Sequence, residues 1–349
     1  MFNLQELIRP NIKNLSPYSS ARNEYKGKEG IFLDANENSF GSAIGINLNR
    51  YPDPFQVALK EKIGQLKGIS PRQIFLGNGS DEAIDILFRA FCSPGKDNVI
   101  IVPPTYGMYE VSAGINDIRC IKVNLKEEYQ LDVTAMLNAV NENTKLVFLC
   151  CPNNPTGTAL NFTDIKAILS EFKGIVVLDE AYIDFASYKS LIPDLNNYPN
   201  LVILQTFSKA WGLASLRLGM AFASQEIIAV FNKIKPPYNI SGKTQELALQ
   251  ALDNEKQVNI WISEINKEKE SLVTALNDLD CILKIYPSSA NFILVKTKDA
   301  KAIYDYLVLE KIIVRNRSNI TLCEGCLRIT IGTADENKRL LNALKNIDL

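Results

Sequence analysis

The run Leu146-Val147-Phe148-Leu149-Cys150-Cys151 passes directly into Pro152-Asn153-Asn154-Pro155-Thr156-Gly157. A continuous apolar run this short, stopped at once by turn residues, is the pattern of a strand buried on both faces, as in a parallel sheet. Two runs downstream end in the same way. Ile175–Leu178 leads into Asp179-Glu180-Ala181-Tyr182, and Leu201–Gln205 leads into Thr206-Phe207-Ser208-Lys209. Further strands are expected at Gln73–Leu76, Asn98–Val102, Ile118–Val123 and Leu218–Ala223, with amphipathic stretches between most of them. One of these, Ser80–Cys92, reads as a helix with Ser80 or Asp81 at its N-cap. The alternation, from about Phe55 onward, predicts βαβ units in a mainly parallel, seven-stranded α/β sheet. Ligands bind at the carboxyl ends of the strands in such sheets, so Asn154, Asp179, Tyr182 and Lys209 are expected on one rim.

After Gly242 the texture changes to helical stretches at Lys243–Leu252 and Glu255–Leu279, then short strands at Ile282, Asn291–Val295, Ile312–Arg315 and Cys326–Ile331. This predicts a smaller α+β unit joined through the long helix. The expected division is an arm over residues 1–45 that joins the small domain and a dimer contact, a large domain over 46–245 and a small domain over 246–349.

The chain has 349 residues, 46% of them hydrophobic, and a net charge of −1, which argues against nucleic-acid or acidic-membrane partners and for small-molecule chemistry. It contains no histidine, which excludes imidazole bases and histidine metal sites. The seven cysteines are odd in number and scattered, as in a reducing cytoplasm. Cys323-x-x-Cys326 has metal-site spacing but no second pair and no histidine, so packing is expected and metal is not. Neither a secretion signal nor a membrane-spanning run is expected.

Taken singly, the rim residues say little. Asn-Pro and Pro-Thr-Gly mark turns, an Asp after a strand often caps a helix, and a Lys after Ser is usually a solvated surface residue. Together, Asn154, Asp179, Tyr182, Lys209 and Arg217 resemble the constellation of pyridoxal-phosphate enzymes with the aspartate-aminotransferase fold, fold type I. That resemblance implies a Schiff base between Lys209 and the cofactor aldehyde, with Asp179 holding the pyridine nitrogen protonated. It implies that Asn154 and Tyr182 hydrogen-bond the ring's phenolic oxygen. For the phosphate it implies the amides of Gly79, Ser80 and Asp81 at a helix N-terminus, with Ser208 and Arg217. The Asp81 carboxylate would repel phosphate unless it turned away to a capping or supporting role. Tyr106 would lie on the ring face, the alternative being core packing.

The segments Asn14-Leu15-Ser16-Pro17-Tyr18-Ser19-Ser20-Ala21-Arg22, Leu33-Asp34-Ala35-Asn36-Glu37-Asn38 and Asn49-Arg50-Tyr51-Pro52-Asp53 resemble the histidinol-phosphate aminotransferase family. So do Arg315 and Arg328 in the C-terminal segment. Ser39, Trp211 and Ser215 depart from the family pattern without removing a reacting group. The resemblance implies transamination between histidinol phosphate and 2-oxoglutarate, giving imidazole acetol phosphate and glutamate. Arg328 would take the glutamate α-carboxylate and share the histidinol phosphate group, Arg315 and Tyr18 would contact the distal anion, and Asn36 would lie near the substrate end. Each arginine could instead make a surface ion pair. Tyr238 is a candidate for the pocket wall. A homodimer is implied, with Tyr51 reaching the neighbouring subunit's phosphate. The rival readings are threonine-phosphate decarboxylase, an aminotransferase for aromatic amino acids, or a silent cofactor-binding regulator.

Overall fold

The computed structural model describes residues 2–18, 20 and 29–347; the expectations resting on Ser19, Ala21 and Arg22 lie outside them. The larger sheet contains β1 (Ile74–Asn78), β2 (Asn98–Ile101), β3 (Arg119–Lys122), β4 (Thr144–Cys150), β5 (Ile175–Asp179), β6 (Leu201–Thr206) and β7 (Leu218–Phe222). Their order is β1-β7-β6-β5-β4-β2-β3. β3, β2, β4, β5 and β6 are parallel, and β7 runs antiparallel to both of its neighbours.

Both faces of this sheet are covered, which is why its strands read as unbroken apolar runs. Along β4, Leu146, Phe148 and Cys150 enter one core cluster while Val147, Leu149 and the following Cys151 enter the other. This is the two-residue period of a strand. Each fully buried Val, Leu, Ile or Phe side chain contributes about 1.5–3 kcal/mol.

The helix predicted at Ser80–Cys92 spans Gly79–Phe91, with Asn78 at its N-cap in place of Ser80 or Asp81. The Asn78 side chain does not cap it. Instead Glu82 folds back, and its Oε2 accepts from Asn78 N at 2.5 Å and Asn78 Nδ2 at 2.9 Å. Where β1 turns into this helix, Gly79 adopts φ +70°, a conformation open to glycine.

The smaller sheet contains β8 (Ile282–Ile285), β9 (Phe292–Thr297), β10 (Arg315–Asn316) and β11 (Cys326–Thr330), antiparallel in the order β10-β11-β9-β8. The strand expected at Ile312–Arg315 shrinks to Arg315–Asn316. Ile312 N donates to Leu307 O and Lys311 has φ +59°, so that stretch closes the helix Ala300–Leu309 before the strand begins. The helix Glu255–Asn277 reaches both cores, with Val258 in the larger sheet's cluster and Leu272 and Leu276 in the smaller one's.

Two short helical turns, Leu4–Leu7 and Pro10–Lys13, begin the chain. The arm was expected to join the smaller unit. Instead Ile8 is buried in a core cluster of the larger sheet, Arg9 N donates to Ala90 O at 3.0 Å and Arg9 Nη1 donates to Arg89 O at 2.9 Å. The apolar side chains of Phe2, Leu4, Leu7 and Ile12 dictate that seat by packing on the same cluster. Cys323 and Cys326 are buried free thiols, and all seven cysteines are unpaired.

Candidate active site

The carboxyl ends of β4, β5 and β6 converge as their sequences require. Asn154, Asp179, Tyr182, Ser208 and Lys209 line one concavity of about 490 Å³, open mouth included. Gly79, Ser80 and Asp81 border it from the N-terminus of the helix Gly79–Phe91, and Tyr106 and Arg217 complete its wall. Asn154 Nδ2 lies 3.3 Å from the Tyr182 hydroxyl, so one polar pair occupies this side of the rim.

Asp179 is 2% exposed and takes part in no ion pair among the described residues. Burial pushes its carboxyl up to about 6, although two hydrogen bonds hold it down. One of those donors escaped the sequence reading. The Tyr109 hydroxyl donates to Asp179 Oδ2 at 2.6 Å, and Ala181 N donates to Oδ1 at 3.1 Å. The available signal was a second tyrosine three residues after Tyr106, at the start of the helix Met108–Ile115. The Lys209 side-chain amine forms no hydrogen bond or ion pair among the described residues, and its Nζ sits 5.4 Å from the centre of the Tyr182 ring. Burial, then the Arg328 charge, lowers its amine from the usual lysine range, with Asp179 opposing.

At the helix N-terminus, Gly79 N donates to Arg217 O at 2.7 Å. Gly79 is therefore not a free donor, a correction to the expected cradle. Ser80 and Asp81 keep first-turn amides with no carbonyl in their own helix. The Asp81 carboxylate accepts from Tyr106 Oη at 3.1 Å and from Arg217 Nη2 at 3.4 Å. That carboxylate is thus engaged by Tyr106 and Arg217. Arg217 itself has φ +52°, a left-handed conformation uncommon for a side-chain-bearing residue and concentrated at functional sites.

The smaller sheet reaches this rim through Arg328 and through Phe292, whose ring meets the Tyr182 ring edge to face at 5.1 Å. Arg328 Nη1 donates to Asn154 Oδ1 at 2.5 Å, and its guanidinium lies over the Phe292 ring at 5.1 Å. The Arg328 Nε is buried without a partner. Arg315 is the direct cross-strand partner of Arg328 and is exposed; neither arginine makes an ion pair among the described residues.

A family model described as aminotransferase class I and II matches residues 21–344. The chain belongs to that family. A histidinol-phosphate aminotransferase from Cytophaga hutchinsonii is 59% identical over 99% of both chains. A solved histidinol-phosphate aminotransferase from Sinorhizobium meliloti, in complex with pyridoxal-5'-phosphate, superposes with a TM-score of 0.79 at 25% identity over 96% of each chain. An L-threonine-O-3-phosphate decarboxylase from Porphyromonas gingivalis superposes with a TM-score of 0.73 at 25% identity, over 85% of this chain and 90% of that one.

The chain is therefore a pyridoxal-phosphate-dependent aminotransferase of fold type I. Its donor set suits that cofactor: a buried carboxylate without a cation, a lysine without an anion, and free amides at a helix N-terminus line one cavity. Close backbone approach makes this possible, since a Cβ on Gly219 would meet Gly79 C and Ser80 N at 2.2 Å.

Other expected site residues of this aminotransferase lie elsewhere. Tyr18 is 74% exposed and lines a different concavity, with Pro54, Lys233 and Pro237, so it does not stand beside Arg315 at the rim. Asn36 is exposed at φ +55° in a segment without strand or helix, and it does not line the cavity. Tyr51 stacks on Tyr238, with ring centres 4.4 Å apart, and neither lines the cavity of its own chain.

Proposed function

We propose that this site transfers the amino group of histidinol phosphate to 2-oxoglutarate, releasing imidazole acetol phosphate and glutamate in a ping-pong sequence. When bound, pyridoxal phosphate supplies an aldehyde with which a primary amine condenses and a protonated pyridine ring that accepts the electrons of a carbanion. Asp179 would hold the ring nitrogen charged, and Asn154 and Tyr182 would donate to the phenolic oxygen. The amides of Ser80 and Asp81, the Ser208 hydroxyl and the Arg217 guanidinium would hold the phosphate, and Tyr106 would flank the ring.

With no histidine in the chain, Lys209 Nζ is the base. It would take the proton from the amino-bearing carbon of the substrate and hold it for return, a role that its lowered proton affinity suits. Arg328 and Arg315 hold the substrate anions, the phosphate in one half-reaction and carboxylates in the other. The observation that carries this reading is the meeting of Lys209, Asp179 and the Asn154–Tyr182 pair in one cavity that Arg328 reaches from the smaller sheet. We also propose a homodimer in which Tyr51 completes the phosphate site of the second copy. Ile31, Leu33 and Phe40 are 91%, 82% and 104% exposed, apolar side chains that a second copy would cover. A fully active monomer would contradict this assembly. A cytoplasmic location accords with the free cysteines; among the described residues no helix is long and apolar enough to cross a membrane. We retain the division into residues 1–45, 46–245 and 246–349 as a proposal.

The test is glutamate formation from histidinol phosphate and 2-oxoglutarate. Lys209→Ala should abolish it while keeping the wild-type circular dichroism spectrum. Transamination persisting in that variant would refute the assigned role.

A further inference from the structure

We propose that Tyr109 is a positioning residue that holds Asp179 ionised and aimed at the cofactor's ring nitrogen. This inference rests on the placement of that nitrogen against Asp179 proposed above.

Tyr109 is 0% exposed, and its hydroxyl lies 2.6 Å from Asp179 Oδ2. Its ring stacks on Phe148, with centres 4.8 Å apart, and meets Tyr106 edge to face at 5.5 Å. The ring is thus fixed by packing on Phe148 and Tyr106, and its hydroxyl faces Asp179 and the Cys150 thiol, of which the carboxylate is the stronger acceptor. Asp179 Oδ1 is held from the other side by Ala181 N at 3.1 Å. Two donors thus fix the plane of a buried carboxylate that has no cation of its own.

The groups that act on Asp179 divide by sign. Lys209, after β6, favours its charge, while Asp81, on the helix Gly79–Phe91, disfavours it. Cys150, on β4, and Tyr106 and Tyr182 also face it, and none of the three supplies a positive charge. Burial is the largest influence and pushes toward the neutral acid; the Tyr109 hydrogen bond is the largest opposing one. A hydrogen bond to the charged form favours that form. Without the hydroxyl, a larger share of Asp179 would be neutral near pH 7 and unable to hold a pyridinium.

Tyr109→Phe keeps the stacked ring and deletes only the hydroxyl. The apo form of this variant, of wild type and of Asp179→Asn is titrated across pH with pyridoxal phosphate and with its 1-deaza analogue, in which carbon replaces the ring nitrogen. The expected result is that Tyr109→Phe weakens pyridoxal phosphate about tenfold or more at neutral pH. The deaza analogue should keep its affinity, and the acidic limb of pyridoxal phosphate binding should move to higher pH. Equal weakening of both ligands would reduce Tyr109 to a packing residue, and no change in either would also overturn the proposal. If Asp179→Asn fails to separate the two ligands, the placement of the nitrogen at Asp179 is what fails.

Discussion

Arg328 Nη1 and Asn154 Oδ1 are 2.5 Å apart, a hydrogen bond that ties β11 of the smaller sheet to the carboxyl end of β4 in the larger one. One end of the guanidinium is thereby anchored beside Tyr182, while its buried Nε has no partner. A planar fork held at one end has fewer orientations to lose when an anion binds.

Replacing that fork with a point charge tests its role. Arg328→Lys should raise KM for both glutamate and histidinol phosphate by about tenfold to a hundredfold, the loss of a charge-assisted hydrogen bond. Steady-state kinetics with each substrate varied in turn checks it; an unchanged KM for both would assign Arg328 to structure alone.

Arg315 faces Arg328 directly across the β10–β11 ladder, and like charges placed opposite repel. Arg315→Gln should therefore leave the ligand-free protein as stable as wild type or more stable by a few tenths of a kcal/mol, about the size of a cross-strand pair. It should also blunt the thermal stabilisation given by inorganic phosphate. A thermal-shift series with and without phosphate reads both effects.

Asp179 yields a pH prediction of definite sign. Its folded carboxyl titrates at about 6 against an ordinary 3.8, so between these values the folded chain holds a proton that the unfolded chain has released. Stability of the apo protein is therefore lost as pH rises through this window, by about 3 kcal/mol if the whole shift is expressed. Asp179→Asn should be more stable than wild type at pH 8 without cofactor, and the difference should disappear below pH 4. Urea unfolding of both proteins at the two pH values measures this.

Gly219 sits on β7 against the turn into the helix Gly79–Phe91. Because a Cβ there would meet backbone atoms at 2.2 Å, Gly219→Ala must push the helix N-terminus away from the sheet. The expected cost is about 1–3 kcal/mol from overpacking, with loss of pyridoxal phosphate on dialysis. Retention of the cofactor at wild-type affinity would show that the turn yields without consequence.

The larger sheet was legible because burial on both faces writes each strand as an unbroken apolar run. Leu146–Cys151 and Ile175–Asp179 leave no alternative period. The rim residues were legible because they follow those runs directly. Harder to read was anything set by packing between elements distant in sequence. Tyr109 looks like a core aromatic until β5 brings Asp179 to its hydroxyl, 70 residues on. The amide of Gly79 is taken by Arg217 only because β1 and β7 are sheet neighbours. Strand β10 was overextended because Ile312 and Ile313 carry β-forming side chains, whereas Ile312 N closes the preceding helix. The seats of Tyr18 and Asn36 depend on an arm with little regular structure, which carries no periodic signal.

The most direct test of the account is the first half-reaction, followed by the absorbance of the bound cofactor. Histidinol phosphate added to the holoenzyme should convert the cofactor to its pyridoxamine form, 2-oxoglutarate should restore it, and no carbon dioxide should be released. Failure to convert with histidinol phosphate, together with carbon dioxide released from threonine phosphate, would contradict the transaminase assignment.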